Sequence, residues 1–479
     1  MQRALPPPSV PAVKVAAVDL GATSGRVVLA DLGTSTPELA ELVRFPNIPH
    51  EDSGAWFWQV DALIAEIIKG LEQAAALGAE AFAIDTWGVD FGVIANGSPL
   101  GPMRCYRDPR NNDGVDVVHR AIAWPELYAA TGIQFMPINT VYQLAVEDPV
   151  RVAPGATFLP APDYLGFLLT GHVGADVTHA STGALVDVRT RTWSQPVLNA
   201  LGLPRESFPE LQEPGTIRGR MQLPSGAELT HISVGGHDTA SAFAAIPTAD
   251  PDSSLFLSMG TWALIGLEGH GLIPTDAARE ANVTHELGVD GTVRMLRNVS
   301  GMWLFEECRK WWAKEDGSAP DVPTLLDAAW AAPAFAGFVD VDNPDLASPG
   351  QSPASIAKHI SDDWDGTRGG LVRILFESMV ITIAKRAAEI EILAGSPRNT
   401  LHVVGGPTRI APLMQWLADA TNKEVIAGPI EATALGNAAV QWKALGVVSD
   451  LAEARSRIAL LPDVKRFHPS GDSANWHRA

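Results

Sequence analysis

Apolar runs of strand length alternate with stretches of helical period along most of this chain, and several of the strands end in glycine turns. Val15 to Ala30, VAAVDLGATSGRVVLA, reads as an apolar strand, a turn from Gly21 to Gly25, and a second apolar strand. Asp61 to Leu77 has the period of an amphipathic helix, and Ala81 to Ala95, AFAIDTWGVDFGVIA, reads as two strands interrupted by the string Asp85 to Asp90. Ile232 to Ala245, ISVGGHDTASAFAA, predicts a strand, a turn at Gly235-Gly236 and a helix of small residues. Ser254 to Glu268 repeats the opening plan around Gly260-Thr261, and Leu401 to Leu417 is again strand, Gly405-Gly406 turn and helix. Ile430 to Ala444 predicts a helix in which Gly436 allows close approach of backbone or ligand, and the apolar positions of Leu371 to Leu393 suit one face of a long buried helix. The Pro-rich segments 99–112 and 149–162 read as loops. Strands alternating with helices in both halves predict an α/β fold, and two similar hairpins half a chain apart predict two related lobes.

A length of 479 residues exceeds what one hydrophobic core usually supports, in agreement with two lobes. The best hinge is the Pro-, Asp- and Ser-rich stretch after Ile246. It divides the chain into a first lobe over 13–246, a hinge at 247–253 and a second lobe over 254–465. A Pro-rich tail at 1–12 and a second tail at 466–479 flank them. The net charge of -20 argues against nucleic acid or an anionic membrane as partner, since both reward a basic surface. The 371–393 stretch is broken by charged residues, so no membrane span is expected. Two widely separated cysteines, Cys105 and Cys308, suit the reducing cytoplasm and supply neither a disulfide framework nor a thiolate metal site. No heptad stripe distinguishes a monomer from a homo-oligomer.

The opening hairpin has the chemistry of a phosphate cradle. Gly21 and Gly25 permit backbone angles that let successive N–H groups converge on an anion, Thr23 and Ser24 add hydroxyls, and Arg26 adds a fixed charge. Asp19 would repel phosphate by itself and is suited to hold magnesium or its waters. An ordinary Gly-rich hairpin has the same pattern. Asp238, after a Gly-Gly turn at the head of a helix, suits either a general base or a helix cap. Trp87 and Trp262 suit either the wall of a sugar site or a core. His237 has no second histidine or cysteine at ligand spacing, so hydrogen bonding fits it better than metal binding. The chain lacks G-x-x-x-x-G-K-[ST], G-x-G-x-x-G and the H-R-D loop of protein kinases, which removes the P-loop, Rossmann and protein-kinase schemes.

The strings VDLGATSGR, IDTWGVDF, CYRDPR, GIQFMPINTVYQL, GGHDTASA, GTW and AGPIEATALGN, in this order from about Val15 to about Trp442, resemble those of the FGGY carbohydrate kinases. IDTWGVDF favours the branch that phosphorylates L-rhamnulose over glycerol, xylulose or gluconate kinases. The resemblance implies two ribonuclease-H-like (actin-like ATPase) lobes with a central cleft, and ATP with Mg²⁺ as phosphoryl donor to a small ketose. The family's catalytic aspartate falls on Asp238. The implied sugar site comprises Gly88, His237, Asp238, Thr239 and Asn298. The implied nucleotide site comprises Ala22, Thr23, Ser24, Gly25, Arg26, Thr261, Glu306, Gly405 and Gly406, with Asp19 on the metal through water.

Two positions depart from the family pattern. Pro407 stands where a third glycine is usual, and Glu306 stands where a glutamine usually meets the nucleotide. Both bear on nucleotide affinity. Because pocket residues outside these strings set stereochemical preference, L-fuculose or L-xylulose is an alternative substrate, and the two departures leave a sugar-binding regulator that lost its ATP site as a further alternative.

Overall fold

The opening hairpin forms as its pattern predicts. In a computed structural model, which describes residues 13–33, 36–346, 350–361, 364–471 and 476, β1 (Lys14–Leu20) and β2 (Ser24–Asp31) pair antiparallel. A third strand, β3 (Glu38–Pro46), pairs with β2. Every residue of β1 after Lys14 is buried, as expected of a central strand covered on both faces. Helix α1 (Val60–Ala76) buries Leu63, Ile67, Leu71 and Ala74, one stripe at helical spacing. Strand β4 (Ala79–Thr86) runs parallel to β1 and sets Asp85 beside Asp19. The string Asp85 to Asp90 then leads into β5 (Phe91–Ala95).

The segment 149–162, expected to be a loop, holds β6 (Ala156–Pro160) and the start of α2 (Ala161–Thr170). Its apolar residues pair with β5, and Pro162 sits in the first turn of the helix, where a missing N–H is not felt. After α3 (Val177–Ser181), strands β7 (Ile217–Gln222) and β8 (Glu228–Ile232) complete a six-stranded sheet of order β7-β8-β4-β1-β2-β3. Helix α4 (Asp238–Ala244) follows β8 after the Gly-Gly turn.

The second half repeats the scheme. Its strands are β9 (Ser254–Met259), β10 (Trp262–Gly269), β11 (Thr284–Leu287), β12 (Val293–Ser300), β13 (Thr400–Val404), β14 (Glu424–Ala427) and β15 (Lys465–Phe467). They form a seven-stranded sheet of order β11-β12-β10-β9-β13-β14-β15. Along β2-β1-β4-β8-β7 the pairings are antiparallel, parallel, parallel and antiparallel. Along β10-β9-β13-β14-β15 they are the same. The helices here include α5 (Trp303–Asp316), α6 (Arg368–Ala394), α7 (Ala411–Thr421) and α8 (Ala432–Ala444). From Gly369 to Ile383, α6 is buried around its whole circumference apart from Arg373, not on one face as its pattern suggested. No described helix is long and apolar enough to cross a membrane.

Two compact units emerge, and neither is a continuous half. The first comprises the described residues up to 249 together with 268–295 and 432–461; the second comprises 250–267, 296–431 and the residues from 462 onward. The first boundary between them, after residue 249, falls within the stretch 247–253 expected as a hinge. Residues 268–295 and 432–461, expected in the second lobe, belong to the first unit. For α8 the reason is explicit: Gln441 Nε2 donates to Ala16 O (3.0 Å) and Trp442 Nε1 to Val13 O (3.1 Å), so its side chains are bonded into the first strand. A Cβ on Gly436 would lie 1.7 Å from Ser241 O of α4, so the glycine serves backbone approach. The expected tail at 466–479 begins inside β15, which pairs with β14, and Trp476 packs against Phe335 and Trp416. The expected tail at 1–12, and residues 472–475 and 477–479, lie outside the described residues.

Candidate active site

Both hairpins present donors at their tips. In the first, Gly21 N bonds Ser24 O (2.9 Å), while Asn47 holds the tip from behind, its Nδ2 donating to Gly21 O (2.8 Å) and its N to Thr23 O (3.0 Å). The Ala22 and Thr23 amides have no hydrogen-bond partner among the described residues, and Thr23 is exposed. They are free to meet an anion. The glycines act differently from expectation: neither Gly21 nor Gly25 has a positive φ. What Gly25 supplies is room, because a Cβ there would lie 2.4 Å from the Phe45 ring. In the second hairpin Gly260 N bonds Trp262 O (2.9 Å), and the Gly260 and Thr261 carbonyls accept from the Met302 and Trp303 amides (2.9 and 3.1 Å). Thr261 is exposed, with its amide without a partner among the described residues.

At the open end of the first sheet the carboxylates gather. Asp19 Oδ2 accepts from Arg26 Nε (2.9 Å) and Nη2 (2.7 Å), so Arg26 meets Asp19 in this structure. Its register neighbour Asp85 is wholly buried, with Oδ2 accepting from Asn437 Nδ2 (2.6 Å) and Oδ1 without a hydrogen-bond partner among the described residues. Burial first, then the nearby Asp19 charge, push the Asp85 pKa well above the carboxylate range against the pull of Asn437; Asp238 adds to the rise. Sequence reasoning missed Asn47, Asp85 and Asn437, because each acts through a partner far along the chain.

Asp238 is the first residue of α4, and its side chain is 34 % exposed. It is not a helix cap: His237 holds that place, and no side-chain cap bond is made. Among the described residues the Asp238 carboxylate accepts one hydrogen bond, from Thr239 Oγ1 (3.2 Å). The Gly-Gly turn that delivers it is pinned by Asp176, which accepts from Gly236 N (3.1 Å). His237 lies between two carboxylates, Nδ1 3.1 Å from Glu286 Oε2 and Nε2 3.4 Å from Asp238 Oδ1. Gly88 borders the same ring, since a Cβ there would come 3.3 Å from His237 Nε2. Gly88, His237, Asp238 and Thr239 are thus brought together in the first unit.

The floor beneath them is aromatic and tightly bonded. Trp87 is 4 % exposed and packs tilted against Trp58 (4.1 Å between ring centroids), so it is core rather than open wall. Buried Asp90 accepts from Trp58 Nε1 (2.6 Å), Trp87 Nε1 (2.9 Å), Tyr106 N (3.1 Å) and Gln143 Nε2 (3.1 Å). Burial pushes its pKa up to about 6 against those four donors, leaving a carboxylate at neutral pH. Val89 has φ +67°, a strained value for a β-branched residue. Thr182 Oγ1 accepts from its N–H (3.0 Å), and Thr140 Oγ1 donates to its carbonyl (2.5 Å). His179 Nε2 bonds Trp87 O (2.9 Å), and burial followed by the neighbouring His237 lowers its pKa to about 3.

The remaining implied residues lie in the second unit. Asn298 is half-buried on β12. Glu306, in the first turn of α5, pairs with Arg309 (2.8 Å), so its charge is met within its own helix. Trp262 is 46 % exposed and parallel to Trp303. Gly405 follows β13 at φ +103°, where a Cβ would lie 2.3 Å from Met259 O, and Gly406 is exposed. Pro407 lies in the short turn after them.

Residues 15–245 match the N-terminal domain, and residues 255–445 the C-terminal domain, of the FGGY family of carbohydrate kinases. The chain is 35% identical over 480 residues to a rhamnulokinase of Pectobacterium carotovorum, covering 97% of this chain and 95% of the relative. It is 36% identical to a rhamnulokinase of Bacteroides thetaiotaomicron, covering 97% of each. In fold it is similar to a gluconate kinase from Lactobacillus acidophilus (TM-score 0.78, 17% identity, 97% of this chain and 95% of that one). It is likewise similar to Plasmodium falciparum glycerol kinase with ADP (TM-score 0.77, 15% identity, 97% and 96%). With both domains matched in order over nearly its whole length, the chain belongs to the FGGY family of carbohydrate kinases.

Proposed function

We propose that the protein transfers the γ-phosphoryl group of ATP to the O1 hydroxyl of L-rhamnulose. The observation that carries this reading is the Asp238 carboxylate, partly exposed, unused as a cap and set beside His237 and Gly88. Asp238 accepts the O1 proton as O1 bonds to the γ-phosphorus and the bond to the β-phosphate oxygen breaks, leaving ADP. Transfer of this kind depends chiefly on position and charge neutralisation, so one well-placed base suffices. Ala22, Thr23, Ser24, Gly25, Arg26 and Thr261 hold the phosphates through N–H groups, hydroxyls and charge, and Gly405, Gly406 and Glu306 flank the nucleoside. Gly88, His237, Thr239 and Asn298 hold the sugar.

The donor set suits magnesium held through water. Among the described residues no group of three His, Cys, Asp or Glu side chains could bind a metal directly. Magnesium is commonly held by one or two carboxylates plus substrate phosphates, and Asp19 beside Asp85 with its unpartnered Oδ1 fits that pattern. The ion would neutralise phosphate charge there. The two buried, unbridged cysteines and the demand for ATP support a cytoplasmic setting.

A coupled assay over a ketose panel tests the proposal. L-Rhamnulose is expected to give the highest kcat/KM; a higher value for L-fuculose or L-xylulose would reassign the substrate. Titration calorimetry with Mg-ATP and each ketose is expected to show both ligands binding. Sugar binding without ATP binding would replace the kinase by a sugar-binding regulator.

A further inference from the structure

Glu286 and Arg294 form a buried ion pair that the proposed transfer does not use. Arg294 is wholly buried, with Nη2 3.1 Å from Glu286 Oε2 and 3.2 Å from Leu287 O. Its Nε and Nη1 have no hydrogen-bond partner among the described residues, and its guanidinium lies 5.9 Å from the Phe243 ring centroid. Burying such a pair costs about as much in lost hydration as the attraction returns, so it is weak as a device for stability alone. It ends on Glu286 Oε2, the atom that meets His237 Nδ1.

We propose that Glu286 is a positioning residue for phosphoryl transfer, acting through His237. It keeps a proton on Nδ1 and turns Nε2 toward Asp238 and Gly88, where the ketose lies in the proposed function on which this inference rests. The groups facing the imidazole are few. Glu286 approaches from β11, Asp238 from α4 and the ring of His179 from α3 (6.5 Å between centroids), while Arg294 of β12 stands behind Glu286. Burial would raise the Glu286 pKa, but Arg294 first, then His237 and His179, hold it at about 2, so it stays an acceptor at any working pH. With Nδ1 held by Glu286, Nε2 is left to hydrogen-bond the ketose oxygen next to the reacting hydroxyl, beside Asp238.

The test combines kinetics of Glu286→Gln with ¹⁵N NMR of histidine-labelled protein, the His237 signals being assigned with His237→Gln. The Glu286→Gln variant is expected to lose on the order of 10- to 100-fold in kcat/KM for the ketose, with KM for ATP within about twofold of wild type. Its loss is expected to vanish in the His237→Gln background, since both substitutions remove one device. Wild-type kinetics in Glu286→Gln, or losses that multiply in the double variant, would overturn the inference. The NMR arm needs only wild-type protein for its result: a proton on Nδ1 from pH 6 to 9 is expected, and a ring protonated at Nε2 alone would refute it. Failure of the proposed function is seen separately, as absence of ketose turnover by the wild-type enzyme.

Discussion

The two hairpins share one backbone plan and differ in what the plan carries. Two residues before its turn glycine, the first has Asp19, paired in register with Arg26; the second has Ser258, opposite Leu264. The first tip is braced by the side chain of Asn47, the second by backbone amides at the start of α5. The next strand in each sheet extends the contrast: β4 ends in Asp85-Thr86, β13 in Val404 followed by Gly405-Gly406. One scaffold used twice thus gives a charged end, suited to proton and metal chemistry, and a neutral end rich in N–H donors, suited to nucleotide. Repetition of a fold has supplied geometry, while side chains at matching positions divide the chemistry.

The sharpest way to break that division is Asp238→Asn. It should lower kcat by about 10³-fold or more while leaving ketose affinity, measured by calorimetry, within about threefold. Turnover near wild type would remove Asp238 from the role of base. Next comes Gly436→Ala, which drives a methyl into the Ser241 carbonyl and should cost about 3 kcal/mol, read as a lower midpoint in urea. The comparison itself is tested by Asp19→Asn against Ser258→Ala. The first should lose about 100-fold in kcat and require more magnesium, the second about threefold at most; equal losses would erase the asymmetry.

Acid should weaken the first unit. His179 and His285 are buried with pKa values lowered to about 3 and about 4, in each case by burial first. Their folded values lie below the unfolded value, so their contribution is present above about pH 6.5 and fades as pH falls through the window toward 4 and 3. By pH 5 each should have lost about 2 kcal/mol, visible in thermal melts between pH 7.5 and 5 and diminished in His285→Gln. The smallest effect expected is that of Glu306→Gln. Because Arg309 already meets the carboxylate, KM for ATP should shift by about threefold or less. A tenfold fall would mean that the charge faces the nucleotide.

Local pattern carried far. The hairpins, the amphipathic α1, the strand–Gly-Gly–helix units and the position of Asp238 were all legible, because period and turn chemistry are properties of neighbouring residues. What escaped depends on partners distant in the chain. Asp85 meets Asn437, Glu286 meets His237, and α8 bonds into β1 over more than 400 positions. The strand at 156–160 was hidden by flanking prolines that turned out to start a helix. Whether Asp238 capped α4 could not be read from spacing; the cap geometry at His237 decided it.

The embrace of α4 by α8 at Gly436 and Ser241 has a consequence for biosynthesis. As the nascent polypeptide leaves the ribosome, the strand that begins at Lys14 emerges more than 400 residues ahead of the helix that covers it, which is encoded past residue 431. The leading portion must therefore wait, its apolar surface bare, until those intervening residues have been added, which exposes it to aggregation and to chaperone capture. A premature stop before codon 432 would forfeit the support of α4, the helix that carries Asp238, along with the missing segment.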